Sequence, residues 1–220
     1  HLPAIEGILR YFEKNIGKNG LVQALGGPLM RARYWSFVDW TQEWDSGVPK
    51  AVGTGFLTME SLLYIYGLMH AADLFQYVGH NEAADGFRRR AEGMRQAIRT
   101  CCIGKDGLIA DGPGIQEYCV HAQVFAILTE TVDEAQGKSL LQQTLKQPEY
   151  AQCSVAMSFY LFRALQKTNW YQATDLIWET WREMLRNNLT TCVESESEPR
   201  SDCHAWGAVA LYEIPSVILG

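Results

Sequence analysis

The chain has 220 residues, 47% of them hydrophobic, which is enough to bury a sizeable core within one domain or part of one. Its formal net charge of −6 provides no basic surface for a phosphate backbone, so we expect no nucleic-acid partner. No apolar run reaches the ~18 residues of a membrane span, and the six cysteines form neither a CxxC pair nor a zinc-ligand pattern. We therefore expect free thiols, no metal and no cofactor, and the sequence leaves the cellular compartment open.

The spacing of apolar residues predicts about eight helices separated by turns. Glycine and proline clusters mark the turns, and no segment shows the sustained alternation of a β-strand. The predicted helices span residues 3–16, 54–78, 81–102, 118–132, 133–147, 153–167 and 169–187, with a last one from about residue 203.

These helices alternate in how much of their surface is apolar. The helix at 54–78 is apolar nearly all round, whereas the helix at 81–102 has one apolar stripe opposite arginines and a glutamate. Because the same alternation recurs in the next two hairpins, we predict an inner and an outer ring, which is an all-α fold of the α/α toroid type. A superhelical repeat would alternate similarly, but we find no repeat signature shared by the hairpins.

The connection at 21–49 is too long for a passive loop in a compact domain, and it is rich in glycine and aromatic residues. Within residues 35–45 it holds three tryptophans and three acids, among them Trp35, Asp39 and Trp40. Aromatic plates beside carboxylates are typical of a sugar site. The alternative is a loop that its aromatic side chains anchor to the body of the domain.

A second candidate site lies near the end of the chain. Two threonines lead into Glu194 in a TTxxE pattern, and a polar run at 194–201 predicts a loop. A helix is predicted from about Cys203, with Ser201 or Asp202 as its N-cap.

This predicted junction of loop and helix brings together a carboxylate, a histidine and an indole. Glu194 would serve as an acid/base group, His204 as a hydrogen-bonding group, and Trp206 as an apolar plate for a sugar ring. The alternatives are a solvated surface glutamate and a histidine and tryptophan that belong to the core.

Several motifs resemble the catalytic domain of bacterial α-L-rhamnosidases, family 78 of the glycoside hydrolases. They are WSFVDW at 35–40, TGF at 54–56, EYCVHAQ at 117–123, TTxxE at 190–194 and RSDCHAW at 200–206. The resemblance covers essentially the whole chain. It implies an (α/α)₆ barrel and inverting hydrolysis of terminal α-L-rhamnosides.

The resemblance also implies roles for individual residues. Glu194 resembles the general base of the family, His204 its sugar-binding histidine, and Asp39 with Trp40 the pair that lines the sugar pocket. We expect the remaining site members around the same sugar: Trp35, His121 and Trp206. One departure is that Cys192 and Val193 stand where family members often have a large aromatic residue.

The family places its general acid before the WSFVDW-like stretch, in an acidic segment that residues 1–20 do not match. A complete barrel has twelve helices, so the resemblance implies that residues 1–220 are the C-terminal part of one catalytic domain. We expect the isolated chain to be inactive and to self-associate through an uncovered apolar face.

Two other functions stay open at this stage. A sugar epimerase or isomerase on the same toroid would use His121 and His204 as proton shuttles, facing one pocket without a carboxylate between them. A non-catalytic carbohydrate-binding scaffold would leave Glu194 in bulk solvent, away from Asp39 and Trp40.

Overall fold

The computed structural model describes residues 1–25, 35–195 and 201–216, and in these ranges it is all-α. None of the helices in the described part has the length and apolar character needed to cross a bilayer. The nine α-helices of these ranges are α1 (Leu2–Glu13), α2 (Thr58–Tyr77), α3 (Asn81–Cys101), α4 (Val120–Leu128), α5 (Glu134–Thr144), α6 (Ser158–Lys167), α7 (Thr174–Ile177), α8 (Glu179–Arg186) and α9 (Val209–Ile214).

The helices form two layers of an α/α toroid, as the sequence predicts. In the inner layer α2 contacts α4, α4 contacts α6, and α6 contacts α9. In the outer layer α3 packs on α2, α5 on α4, and α7 on α6, while α1 also packs on α2.

Burial explains this division into layers. Every residue of α4 is buried, and α2 buries 11 of its 20 residues, with Leu63, Leu74 and Tyr77 on its one exposed face. By contrast, α3 buries one stripe that contains Phe87, Met94 and Ile98, and the remaining faces carry the charged residues. A helix with one apolar stripe can stay in the outer layer, whereas an apolar helix must be covered on several sides.

Two of the connections between the layers share a turn that the sequence analysis overlooked. The segments IGKNGLV at 16–22 and IGKDGLI at 103–109 each follow an outer-layer helix and close with one antiparallel bridge. Gly20 and Gly107 occupy the same position with φ of 81° and 77°, which favours glycine. Our statement that the hairpins share no repeat signature is therefore wrong for these two turns.

The described parts of the long connections lie at one end of the ring. Residues 14–57, 102–119, 145–157 and 187–208 each lead from an outer-layer helix to the start of an inner-layer helix. Because neighbouring inner helices are parallel to each other in such a ring, their N-terminal ends point the same way. Isolated β-bridges pair Gln23 with Phe56 and Cys119 with Ala151, so backbone contacts connect segments at this end.

The last predicted helix starts later than expected. Residues from Cys203 were predicted to be helical, but His204 has extended backbone, with φ −118° and ψ 125°, because its N–H donates to the carbonyl of Cys192 at 2.8 Å. A 3₁₀ turn at Ala205–Ala208 then leads into α9. The expected cap is partly present, since Ser201 Oγ accepts from the N–H of Cys203 at 3.1 Å.

Candidate functional site

Asp39 is the centre of a buried hydrogen-bond network at this end of the ring. Its Oδ2 accepts from His121 Nε2 at 2.7 Å and from the N–H of Ser154 at 2.9 Å. Its Oδ1 accepts from Ser154 Oγ at 2.7 Å and from the N–H of Trp40 at 2.9 Å. Three different connections or helices thus meet at one carboxylate, which is only 4% exposed.

The charge state of Asp39 follows from these contacts. Burial raises the pKa of Asp39, but the hydrogen bond and charge interaction with His121 and the two bonds from Ser154 outweigh it. The pKa is therefore lower than the ordinary value of 3.8, and the carboxylate is ionised at neutral pH. Since four donors already surround it, a sugar hydroxyl could reach Asp39 only by displacing one of them.

His121 is held by two residues of one loop, Asp39 and Trp44. It is the second residue of α4, is fully buried, and its ring lies 4.8 Å from the ring of Trp44. Its Nε2 is committed to Asp39, whereas its Nδ1 is buried with no hydrogen-bond partner. The sequence analysis placed His121 near the sugar, and the structure brings it to Asp39.

The loop at 35–48 presents aromatic side chains outward. Trp35 and Trp40 are 45% and 58% exposed, and the ring of Phe37 lies 4.9 Å from that of Trp40. The loop closes on itself because the N–H of Val38 donates to the carbonyl of Gly47 at 2.9 Å. Buried Asp39 thus anchors a loop whose neighbouring tryptophan stays accessible, as a stacking surface for a sugar ring requires.

Glu194 lies in a second group of residues at this end, where two segments before α9 are hydrogen-bonded to each other. Its N–H donates to the carbonyl of Ser201 at 2.9 Å, and its carbonyl accepts from Trp206 Nε1 at 2.9 Å. Thr191 Oγ1 also donates to the carbonyl of Asp202. We call this pair of facing segments, 191–195 and 201–207, the Glu194 hairpin. Glu194 is 8% exposed, so it is not a solvated surface residue.

His204 and Trp206 belong to the same hairpin. Their ring centroids are 3.9 Å apart with a 45° angle between the planes, and His204 Nδ1 is buried without a hydrogen-bond partner. Trp206 is 40% exposed, so it lies at the surface of the hairpin. In place of the large aromatic expected before the base, Cys192 and buried Val193 face the turn at Gly207.

The Asp39 network and the Glu194 hairpin are linked through Ser154. A cavity of about 630 Å³ lies between α6 and α8, and its lining includes Ser154, Val193 and Ser195. Ser154 binds Asp39, and the other two residues flank Glu194. The Asp39 network and the Glu194 hairpin therefore border a common space at one end of the ring.

The sequence analysis missed three polar residues at this end. Ser154 gave no sequence signal, because a serine before a helix is common. Asp111 lies in a glycine- and proline-rich turn, yet it is buried, and desolvation raises its pKa to about 6 in spite of hydrogen bonding from Cys119. Glu60 is a buried acid in the first turn of α2, and desolvation raises its pKa against hydrogen bonding by Ser36. A lone acid in an otherwise apolar helix was the available signal for Glu60.

Metal binding has no support in the ranges that the structure describes. There, no group of three or more histidine, cysteine, aspartate or glutamate side chains is arranged to hold a metal ion. The six cysteines are all free thiols.

Two solved structures of rhamnosidases resemble this chain in fold. The GH78 family rhamnosidase of Bacillus sp. GL1 superposes with a TM-score of 0.80 at 26% identity, covering 100% of this chain and 24% of that one. A rhamnosidase from Klebsiella oxytoca with rhamnose bound gives a TM-score of 0.77 at 16% identity, covering 97% of this chain and 41% of that one, and this second likeness concerns the fold alone.

The chain thus spans less than half the length of either structure. No curated protein matches it. A family profile for the bacterial alpha-L-rhamnosidase 6 hairpin glycosidase domain matches residues 4–213, which is nearly the whole chain. With its two layers of helical hairpins, the chain belongs to this family of glycoside hydrolases.

Proposed function

We propose that the protein is an inverting α-L-rhamnosidase and that this chain contributes its general base, Glu194. One observation carries the proposal: a buried glutamate and an accessible tryptophan, Trp40, lie on connections at the same end of the helical ring. Toroid enzymes need such a convergence, because base and sugar plate must meet one substrate. The motif resemblance at TTxxE and WSFVDW supports the same assignment.

In the proposed reaction the carboxylate of Glu194 takes a proton from water as that water attacks the anomeric carbon. A second, protonated carboxyl about 6.5–9.5 Å away gives a proton to the leaving oxygen. Asp39 is unsuited to that second role, because its lowered pKa keeps it ionised and four donors surround it. We expect the general acid N-terminal to Trp35, as the family resemblance implies.

The proposed sugar contacts come from the loop that carries Asp39 and from the Glu194 hairpin. Trp40, held by Asp39, would stack on an apolar face of the ring, with Trp35 beside it. The Nδ1 atoms of His121 and His204 are buried and unpaired, so a sugar hydroxyl would bind them only after the side chains that cover them shift. A terminal deoxyhexose has both an apolar face and hydroxyl groups, which fits this mixture.

The two alternative functions lack the features that would favour them. An epimerase would need His121 and His204 to share a pocket without a carboxylate between them, but Asp39 occupies Nε2 of His121. A scaffold without catalysis would leave Glu194 in bulk solvent, but Glu194 is buried.

The test is Glu194→Gln in the full-length protein with 4-nitrophenyl α-L-rhamnoside as substrate. The amide cannot accept the proton of water, so kcat should fall by ~10²–10⁴-fold. Glu149→Gln, an exposed glutamate on the connection before α6, is the matched control and should keep its turnover. Proton NMR should show the β-anomer of rhamnose as the first product, since inversion of an α-glycoside produces it.

Near-normal turnover by folded Glu194→Gln would place the base elsewhere. Glu196 and Glu198 would then be examined; both lie outside the described residues. Release of the α-anomer first would exclude inversion.

A further inference from the structure

Trp206 makes a contact that its expected role as a sugar plate does not require. Its indole N–H donates to the main-chain carbonyl of Glu194 at 2.9 Å. The N–H of the same glutamate is bound by the carbonyl of Ser201 at 2.9 Å. The two main-chain groups of Glu194 are thus held from the facing segment, one by a backbone group and one by a side chain.

The indole is itself fixed in place. The ring of His204 packs against it, and the N–H of His204 donates to the carbonyl of Cys192 at 2.8 Å. On the other side, Trp181 of α8 donates its indole N–H to the carbonyl of Gly207 at 2.8 Å. The position of Trp206 is therefore set on one side by His204 and on the other by α8, which binds the next residue, Gly207.

Gly207 shows how tightly the two segments of the Glu194 hairpin meet. A Cβ atom at this position would lie 2.5 Å from Cβ of Cys192 and 2.8 Å from the carbonyl oxygen of Val193. Neither atom is the end of a flexible side chain, so any larger residue would push the turn away from the segment that carries Glu194.

We propose that Trp206 is a positioning residue that, through its indole N–H and the close turn at Gly207, holds the main chain of Glu194 where its carboxylate can act. This inference rests on the proposed function, in which Glu194 is the general base. Trp206 then governs the rate of the chemical step more than the affinity for the sugar. A catalytic group that moves by about 1 Å can lose ~10²-fold in rate.

The first experiment is steady-state kinetics of the full-length Trp206→Phe protein with 4-nitrophenyl α-L-rhamnoside. Phenylalanine keeps an aromatic ring against His204 and lacks the N–H donor. We expect kcat to fall by about 10-fold to 10²-fold, while KM changes by less than about 2-fold. A rise in KM at constant kcat, or no change in either, would overturn the proposal.

Two further variants keep the test decisive. Gly207→Ala should lower kcat in the same way, whereas Gly93→Ala on α3, whose added Cβ meets no atom within 4 Å, should leave kcat unchanged. If Trp206→Phe does not fold, 3-benzothienylalanine at position 206 keeps the bicyclic ring and replaces the N–H by sulfur. Normal kcat with that residue would overturn the role of the N–H.

A separate measurement distinguishes failure of this proposal from failure of the proposed function. Hydrogen exchange followed by mass spectrometry reports protection of the amides at 192–195 without any substrate. Loss of their protection in Trp206→Phe supports the hold of Trp206 on the main chain of Glu194 even if Glu194→Gln turns out to be active. Unchanged protection would overturn it, whatever sugar the enzyme cleaves.

Discussion

Two carboxylates at the same end of the ring are held in different ways. Asp39 is held through its side chain, whose two oxygens accept four hydrogen bonds from His121, Ser154 and Trp40. The main chain of Glu194 is bound by Ser201 on one side and Trp206 on the other. Both residues are buried, so exposure alone does not separate them.

The difference indicates that the two residues have different roles. A carboxylate surrounded by donors stabilises the fold around it and keeps a low pKa, and this leaves it little capacity for proton transfer. A residue that is fixed by its peptide groups keeps its position when its side chain reacts. We therefore expect substitution of Asp39 to affect stability most, and substitution of Glu194 to affect turnover most.

The largest expected effect on stability is that of Asp39→Ala. It would leave Nε2 of His121 buried without its acceptor, and the N–H and hydroxyl of half-buried Ser154 would lose theirs. Breaking a buried pair of this kind costs about 3–5 kcal/mol of unfolding free energy. Chemical denaturation measures it, with Asp45→Ala, an exposed acid on the same loop, as a control expected to change by less than about 0.5 kcal/mol. Equal losses in both variants would contradict the assigned role.

A third buried acid, Asp111, should respond in the opposite direction. Because desolvation raises its folded-state pKa from 3.8 to about 6, the folded state holds its proton more tightly than the unfolded state. The wild-type protein therefore loses stability as the pH rises from about 4 to about 6, by at most about 3 kcal/mol. Asp111→Asn should stabilise the protein at about pH 7.5, and its advantage should fall below about 1 kcal/mol at about pH 4. An advantage that does not depend on pH would show that ionisation of Asp111 is not the cause.

Ser154→Ala should have an intermediate effect. It removes one hydrogen bond to the charged Asp39 and keeps the bond from the N–H of residue 154, so we expect a loss of about 1.5 kcal/mol at neutral pH. The lowered pKa of Asp39 contributes stability above its ordinary pKa of 3.8, and this contribution is lost as the pH falls through the folded-state pKa. The difference between wild type and variant should therefore shrink below about pH 4 in denaturation curves. A difference that stays constant in acid would mean that the serine hydroxyl acts independently of the charge on Asp39.

The smallest expected change in stability is that of Glu194→Gln. Glutamine has the same size and keeps both main-chain bonds, to Ser201 and Trp206, so the unfolding free energy should change by less than about 1 kcal/mol. The same variant has the largest expected effect on kcat. A loss of stability comparable to that of Asp39→Ala would remove the contrast between the two carboxylates.

Sequence motifs named many of the residues proposed for the candidate site, and the structure supplied the contacts among them. Asp39 and His121 were both named from motifs, but no local pattern indicated a bond between residues 82 positions apart. Ser154, 115 positions from Asp39, had no motif at all. Trp206 was expected as a plate, and its bond to the carbonyl of Glu194 became visible only in the folded hairpin.

The same distinction holds for the ends of the elements. The helix expected from Cys203 begins later because His204 pairs with Cys192, and that pairing depends on the two segments meeting in space. The shared turns at 16–22 and 103–109, by contrast, are local, and their sequences alone could have revealed them.

The sequence by itself determined the all-α class and the alternation of inner and outer helices, since both follow from the 3.6-residue spacing of apolar side chains within each helix. The tertiary structure decided which polar groups meet at the N-terminal ends of the inner helices. Those contacts join residues from separate hairpins, and their distances depend on how the hairpins pack around the ring. Asp39 became an anchor and Trp206 a support for Glu194 for this reason.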